Sequence, residues 1–216
     1  MTIAAVIIRF VLYTALFVAI YAAMAYDALS ADFGETSLTE RAQEALLLVI
    51  SIISFYSAKQ YPAYRALATS LGVMALVSLI REFNNYAYEY LFPYAWQVGV
   101  LLVLIPFFVF LYRNYRNLIR EITSIADRYF FAILLIGTLV LHVFSRLYGL
   151  HFIWQNLMGD GYLYSVVRAS EESIELLGYS IVFIGAVEFY LFAKQDSLAT
   201  GSYRHSSSAP AQSGAP

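Results

Sequence analysis

Arg168-Ala169-Ser170-Glu171-Glu172-Ser173-Ile174-Glu175 runs directly into Leu176-Leu177-Gly178-Tyr179 and a long apolar helical stretch. Residues three and four apart share a helix face, so Arg168 is expected to reach Glu171 and Glu172, with Glu175 beside Glu171. One guanidinium and three carboxylates therefore stand at the mouth of an apolar segment. Ionisable groups at such a position are costly, and they mark either a site or an ion pair that locks helix register.

Outward from this stretch the chain reads as a membrane protein. Of its 216 residues 61% are hydrophobic and only 13% are charged, with mean hydropathy +0.66. A soluble domain carries about 25% charged residues. Six apolar segments, roughly 3–25, 42–58, 66–84, 95–112, 129–148 and 172–193, each approach the ~20 residues a helix needs to cross a bilayer. The runs are continuous and lack the alternation of a membrane strand. The fold class expected is an all-α integral membrane protein: a bundle of six transmembrane helices over residues 1–195, followed by a Ser-, Ala-, Gly- and Pro-rich tail over 196–216 that should be disordered. The first segment also reads, less well, as a cleaved signal peptide with Ala28-Leu29-Ser30-Ala31 as its small-residue site. The apolar stretch is long for that, and no charged segment precedes it. Ala15, Ala19 and Ala23 form a row of small residues suited to close helix packing.

Basic residues set the expected orientation. Lys59 and Arg65 lie between the second and third segments, Arg113, Arg116, Arg120 and Arg128 between the fourth and fifth, and Lys194 and Arg204 after the sixth. The other connections carry acids, among them Asp27, Asp32, Glu35, Glu40, Glu89 and Asp160. The positive-inside rule places both termini in the cytoplasm, in a plasma membrane of the bacterial inner-membrane type. The near-neutral charge gives no sign of nucleic acid. The absence of cysteine removes disulfides, thiolate metal sites and a cysteine nucleophile together. The outer connections are rich in Tyr, Phe and Trp, which read as interfacial anchors, and the segment from His151 to Trp154 is expected to lie flat on the membrane.

Four arginines fall outside the cytoplasmic set: Arg41, Arg81, Arg146 and Arg168. Arg146 has no acidic neighbour in sequence, so it must find a partner on another helix or reach up to the interface. The apolar runs beginning at Ala45 and Ala66 are short, which draws Glu44, Arg81 and Glu82 toward the hydrocarbon. His142 lies one turn from Arg146 on the same face. The expectation is one outward-facing polar cavity lined by Glu44, Arg81, Glu82, His142, Arg146, Arg168, Glu171 and Glu175. The outermost residues, Glu40, Arg168 and Glu172, individually read as structural. Glu188 is separate and pairs with Arg9 if their helices touch.

The motifs of zinc hydrolases, haem ligation, serine hydrolases and phosphate-binding loops are absent, and no spacing pattern supports His142 as a metal ligand. No cofactor or metal is expected. The reading favoured is a binding or transport protein for a small anionic or lipid-like ligand. A second is an intramembrane enzyme using Glu175 or Glu82 as acid or base on an outer-leaflet lipid or isoprenoid. A third is an accessory or sensor subunit with a purely structural ion-pair network. Membrane lipid is the expected surrounding partner, with a homo-oligomer or a membrane complex as the assembly.

Overall fold

The computed structural model describes residues 2–30 and 37–207; Asp32, Glu35 and residues 208–216 of the tail lie outside the described residues. Every regular element among the described residues is helical. In chain order they are α1 (Ile3–Ser30), α2 (Leu38–Gln60), α3 (Arg65–Glu82), the short α4 (Asn84–Tyr90), α5 (Ala95–Ile125), α6 (Tyr129–Leu139), α7 (Ser145–Tyr148), the short α8 (His151–Met158) and α9 (Tyr164–Ser207). A 3-10 turn at Pro62–Tyr64 leads into α3, and a π-helical turn at Val140–Phe144 joins α6 to α7 in one continuous rod. Among the described residues six helical stretches are long and apolar enough to cross a membrane: Ile3–Ser30, Leu38–Gln60, Pro62–Glu82, Ala95–Ile125, Tyr129–Tyr148 and Tyr164–Ala199.

These lengths revise the sequence-derived limits. α2 begins at Leu38 and thereby takes Glu40 and Arg41 into the helix. α5 continues 13 residues past 112, so Arg113, Arg116 and Arg120 ride on a helix and not in a loop. α9 likewise runs on through 196–207, which composition had placed in a disordered tail.

α2 and α9 form the centre. α3 packs on α2, α6 packs on α9, α5 lies outside α3, and α1 leans on both α2 and α9. Small residues permit the close approaches that membrane helices need in place of a hydrophobic drive. Ser51, Ser54, Ser57 and Ala58 of α2 are buried, as are Ala66, Ala68, Gly72 and Ala75 of α3, and the Ser51 hydroxyl donates to the Gly72 carbonyl across the interface at 3.2 Å. At the α6–α9 contact a Cβ built on Gly137 would lie 2.9 Å from the Val182 backbone nitrogen, and one on Gly178 3.1 Å from the Leu141 backbone. The row Ala15, Ala19, Ala23 does not serve this purpose within the chain. Ala15 and Ala19 are exposed, and α1 buries Ile20 and Asp27 instead.

Two buried carboxylates tie helix starts to neighbouring helices. Asp27 of α1 accepts from the Leu38 and Thr39 backbone amides at 3.0 and 2.7 Å and from the Thr39 hydroxyl at 2.6 Å. Glu121 of α5 accepts from the Ala66 and Leu67 amides at 3.2 and 2.7 Å. The first amides of a helix have no partner inside it, and its positive end attracts an anion. Each carboxylate fills that role from a different helix, at opposite ends of the α2–α3 hairpin.

Candidate functional site

The polar cluster lies where α2 and α9 begin and α3 and α7 end. Its centre is Glu175, whose side chain is only 5% exposed. Oε1 of Glu175 meets an Arg146 guanidinium nitrogen at 2.5 Å, and Oε2 faces Arg81 at 3.8 Å. One carboxylate is thus held between arginines from two other helices. Arg146 also donates to Glu171 at 2.7 Å. Because Glu171 and Glu175 are one turn apart on α9, a single guanidinium spans both. Arg81 donates to Glu82 at 2.9 Å, and Glu82 accepts the Tyr179 hydroxyl at 2.9 Å. The result is a continuous chain, Glu171–Arg146–Glu175–Arg81–Glu82–Tyr179, drawn from α3, α7 and α9. Gly149, just after α7, makes room for it: a Cβ there would stand 2.7 Å from the Glu171 carboxylate.

Arg146 therefore finds its partners on another helix, one of the two outcomes its sequence context allowed. Arg168 differs from expectation. It does not bridge to Glu171 or Glu172 on its own helix but faces Glu40 of α2 at 3.4 Å. Glu171 is already held by Arg146. Glu172 accepts from the side-chain amide of Gln43 at 3.1 Å, and Gln43 bonds the Glu172 carbonyl as well. Glu44 lies near enough to Arg41 and Glu82 for their charges to act on it, without a hydrogen bond. His142 stands on the π-helical turn, within the field of Arg81 and Arg146. Five of the eight residues singled out in the sequence thus form one bonded chain; His142 and Glu44 border it, and Arg168 of α9 sits beside it, paired with Glu40 of α2.

Below the cluster runs a groove of about 110 Å³, floored by α2 and α9 and walled by α3 and α6. Its lining is mainly apolar, with Leu47, Ile50, Leu71, Met74, Leu141 and Val182 supplying most of it and Ser78, Thr138, His142 and Tyr179 the polar part. Tyr179 and His142 belong to both groove and cluster. Neither Tyr179 nor Gln43 is among the residues expected to line the cavity. Tyr179 sits one turn below Glu175, a spacing that was open to notice, whereas nothing local to Gln43 indicates Glu172, 129 residues away.

A second buried carboxylate, Glu188, lies farther along α9. It accepts from the hydroxyls of Tyr13 and Tyr129 and pairs with Arg9 at 2.9 Å, which joins α1, α6 and α9. The Arg9–Glu188 pairing expected from matching depths is present; the two tyrosines are additional. Among the described residues no group of three His, Asp or Glu side chains converges as metal ligands would.

By fold and site the protein is an all-helical bundle of six membrane-length helices carrying an Arg/Glu cluster at one end. The chain matches no protein-family model, no curated protein and no solved structure.

Proposed function

We propose that this is a multi-pass plasma-membrane protein, with both termini in the cytoplasm, whose outer polar cluster binds, and in an assembly transports, a lipid-like ligand bearing an anionic group. One observation carries the reading. The Arg146 and Arg81 side chains are 48% and 39% exposed, while Glu175, the carboxylate they share, is 5% exposed. An arriving anion meets guanidinium groups first, already oriented by the carboxylate behind them. Planar guanidinium donors suit a phosphate or carboxylate, and prior orientation lowers the cost of binding it.

The charge balance restricts the ligand further. Around the cluster Arg41, Arg81, Arg146 and Arg168 face Glu40, Glu44, Glu82, Glu171, Glu172 and Glu175, so carboxylates outnumber guanidinium groups. A bare anion adds to a site in which carboxylates already outnumber guanidinium groups, whereas a head group with an ammonium beside its phosphate brings a balancing positive charge. A phosphoethanolamine-type head fits this pattern.

The test is native mass spectrometry of the protein purified in mild detergent, beside Arg146→Ala and Glu175→Gln. A bound phospholipid present in the parent and lost in variants that elute and melt like the parent is the expected result. Equal retention in all three, or no bound lipid in a parent exposed to phosphatidylethanolamine nanodiscs, overturns the proposal.

A further inference from the structure

We infer that the groove between α3 and α6 holds one hydrocarbon chain of this ligand, which enters sideways from the membrane while its head stays on Arg81 and Arg146. The inference rests on the head-group reading above and adds where the rest of the molecule lies.

The groove meets the charged cluster at one end, through His142 and through Tyr179, whose hydroxyl donates to Glu82. From Arg81 down α3 to Leu71 is ten residues, from Arg146 down to Thr138 is eight, and from Glu175 along α9 to Val182 is seven. At 1.5 Å per residue the lining descends about 10–15 Å below the cluster. That is about the depth of one leaflet of a hydrocarbon core some 30 Å thick. At the lower end Leu71 and Val182 close the lining, and the Glu188 centre is not part of it. Thr138, a polar residue of the wall, spends its hydroxyl on the Leu134 carbonyl of its own helix at 2.8 Å. A cleft that abuts a charged cluster at one end and is mainly apolar for one leaflet's depth matches an amphiphile better than a water-soluble anion.

The size selects a single chain. An apolar cavity of about 150 Å³ accepts one benzene. The 110 Å³ here therefore accommodates a segment of one alkyl chain and has no room for two side by side. The opening lies on the flank of the bundle: Met74, half exposed, and His142, also exposed, stand on the rim. α3 leans on α2 and α5 and α6 leans on α9, so the two walls are anchored to different neighbours. A chain can part them without breaking a main helix contact.

A lysophosphatidylethanolamine carrying a diazirine midway along an oleoyl chain, in phosphatidylcholine nanodiscs with the full-length protein, tests this directly. Photolysis and peptide mapping are expected to place crosslinks within residues 71–78 and 138–142. Met74→Trp, which fills the groove from its exposed rim, is expected to reduce them about tenfold, a loss equivalent to about 1.4 kcal/mol of binding, with an unchanged melting temperature. Crosslinks confined to the outer faces of α1 and α5, or groove crosslinks untouched by Met74→Trp, overturn the inference. Arg146→Ala separates the two proposals. If groove crosslinks persist undiminished in that variant, the chain site stands and the head-group reading falls; if bound lipid is lost from Arg146→Ala but Met74→Trp changes nothing, the head-group reading stands and the chain site falls.

Discussion

Glu175 and Asp27 are both nearly inaccessible carboxylates, yet their surroundings give them different uses. Asp27 is satisfied by two backbone amides and a hydroxyl, all belonging to the start of α2. Its partners are neutral and local to one helix end, which is the signature of a tether. Glu175 is held by two arginines that also hold Glu82 and Glu171 yet stay partly exposed, so its partners remain available to a ligand. Replacing Asp27 by Ala strands two amides and one hydroxyl at the α1–α2 junction. The expected cost is about 2 kcal/mol or more, read as a lower melting temperature in detergent, with the exposed Asp160→Ala as an unaffected reference. Equal melting of both variants would remove the tether from the account of stability. The identity of most cluster residues was legible because arginines and glutamates stand out against apolar sequence. Their pairing was not. Arg168 has Glu171 and Glu172 within reach on its own helix, and only the position of α2 and α7 decides that it takes Glu40 instead.

At the scale of elements, the α6–α9 contact is the most exacting. Gly137, Gly178 and Gly185 all face across it, and added Cβ atoms at Gly137 and Gly178 meet backbone, which cannot yield as a side-chain tip can. Gly137→Ala is expected to destabilise by about 1–3 kcal/mol through overpacking, whereas Gly161→Ala, with nothing within 4 Å, should be neutral. Comparing the two in the same melting assay checks the point; parity between them would show that α9 moves away freely. Movement there would also displace Glu175 from Arg146, so the same variant should weaken lipid retention. The π-helical turn at Val140–Phe144 belongs to this contact, facing Gly178 through Leu141 and carrying His142 to the groove. Such turns recur at functional sites. The apolar stretches read from sequence correctly placed six long helices, but the limits of several, α2, α5 and α9 above all, extended outward. Helix ends continue into polar residues wherever backbone hydrogen bonding remains favourable, and hydropathy does not report that.

For the whole molecule the first question is which way it sits. A chain without cysteine accepts single-cysteine probes free of background. Probes at 116 and 120 should label only from the cytoplasm, and one at 160 only from outside; the reverse pattern would put the cluster in the inner leaflet and with it the proposed site. Six membrane-length helices followed from the sequence alone, because the length of an apolar run is a local property and the bilayer imposes the same requirement on each. The charged residues that would gather at one end followed from the same logic, since helices alternating in direction bring every second connection to the same side. What only the tertiary structure decided is which helices are neighbours. That choice depends on small residues meeting across α2–α3 and α6–α9, and it sets α3 and α6 on either side of a central α2–α9 pair. The bonded chain from Glu171 to Tyr179 and the groove beneath it exist because of that arrangement, for a contact between residues a hundred positions apart is a property of packing and leaves no mark on either local sequence.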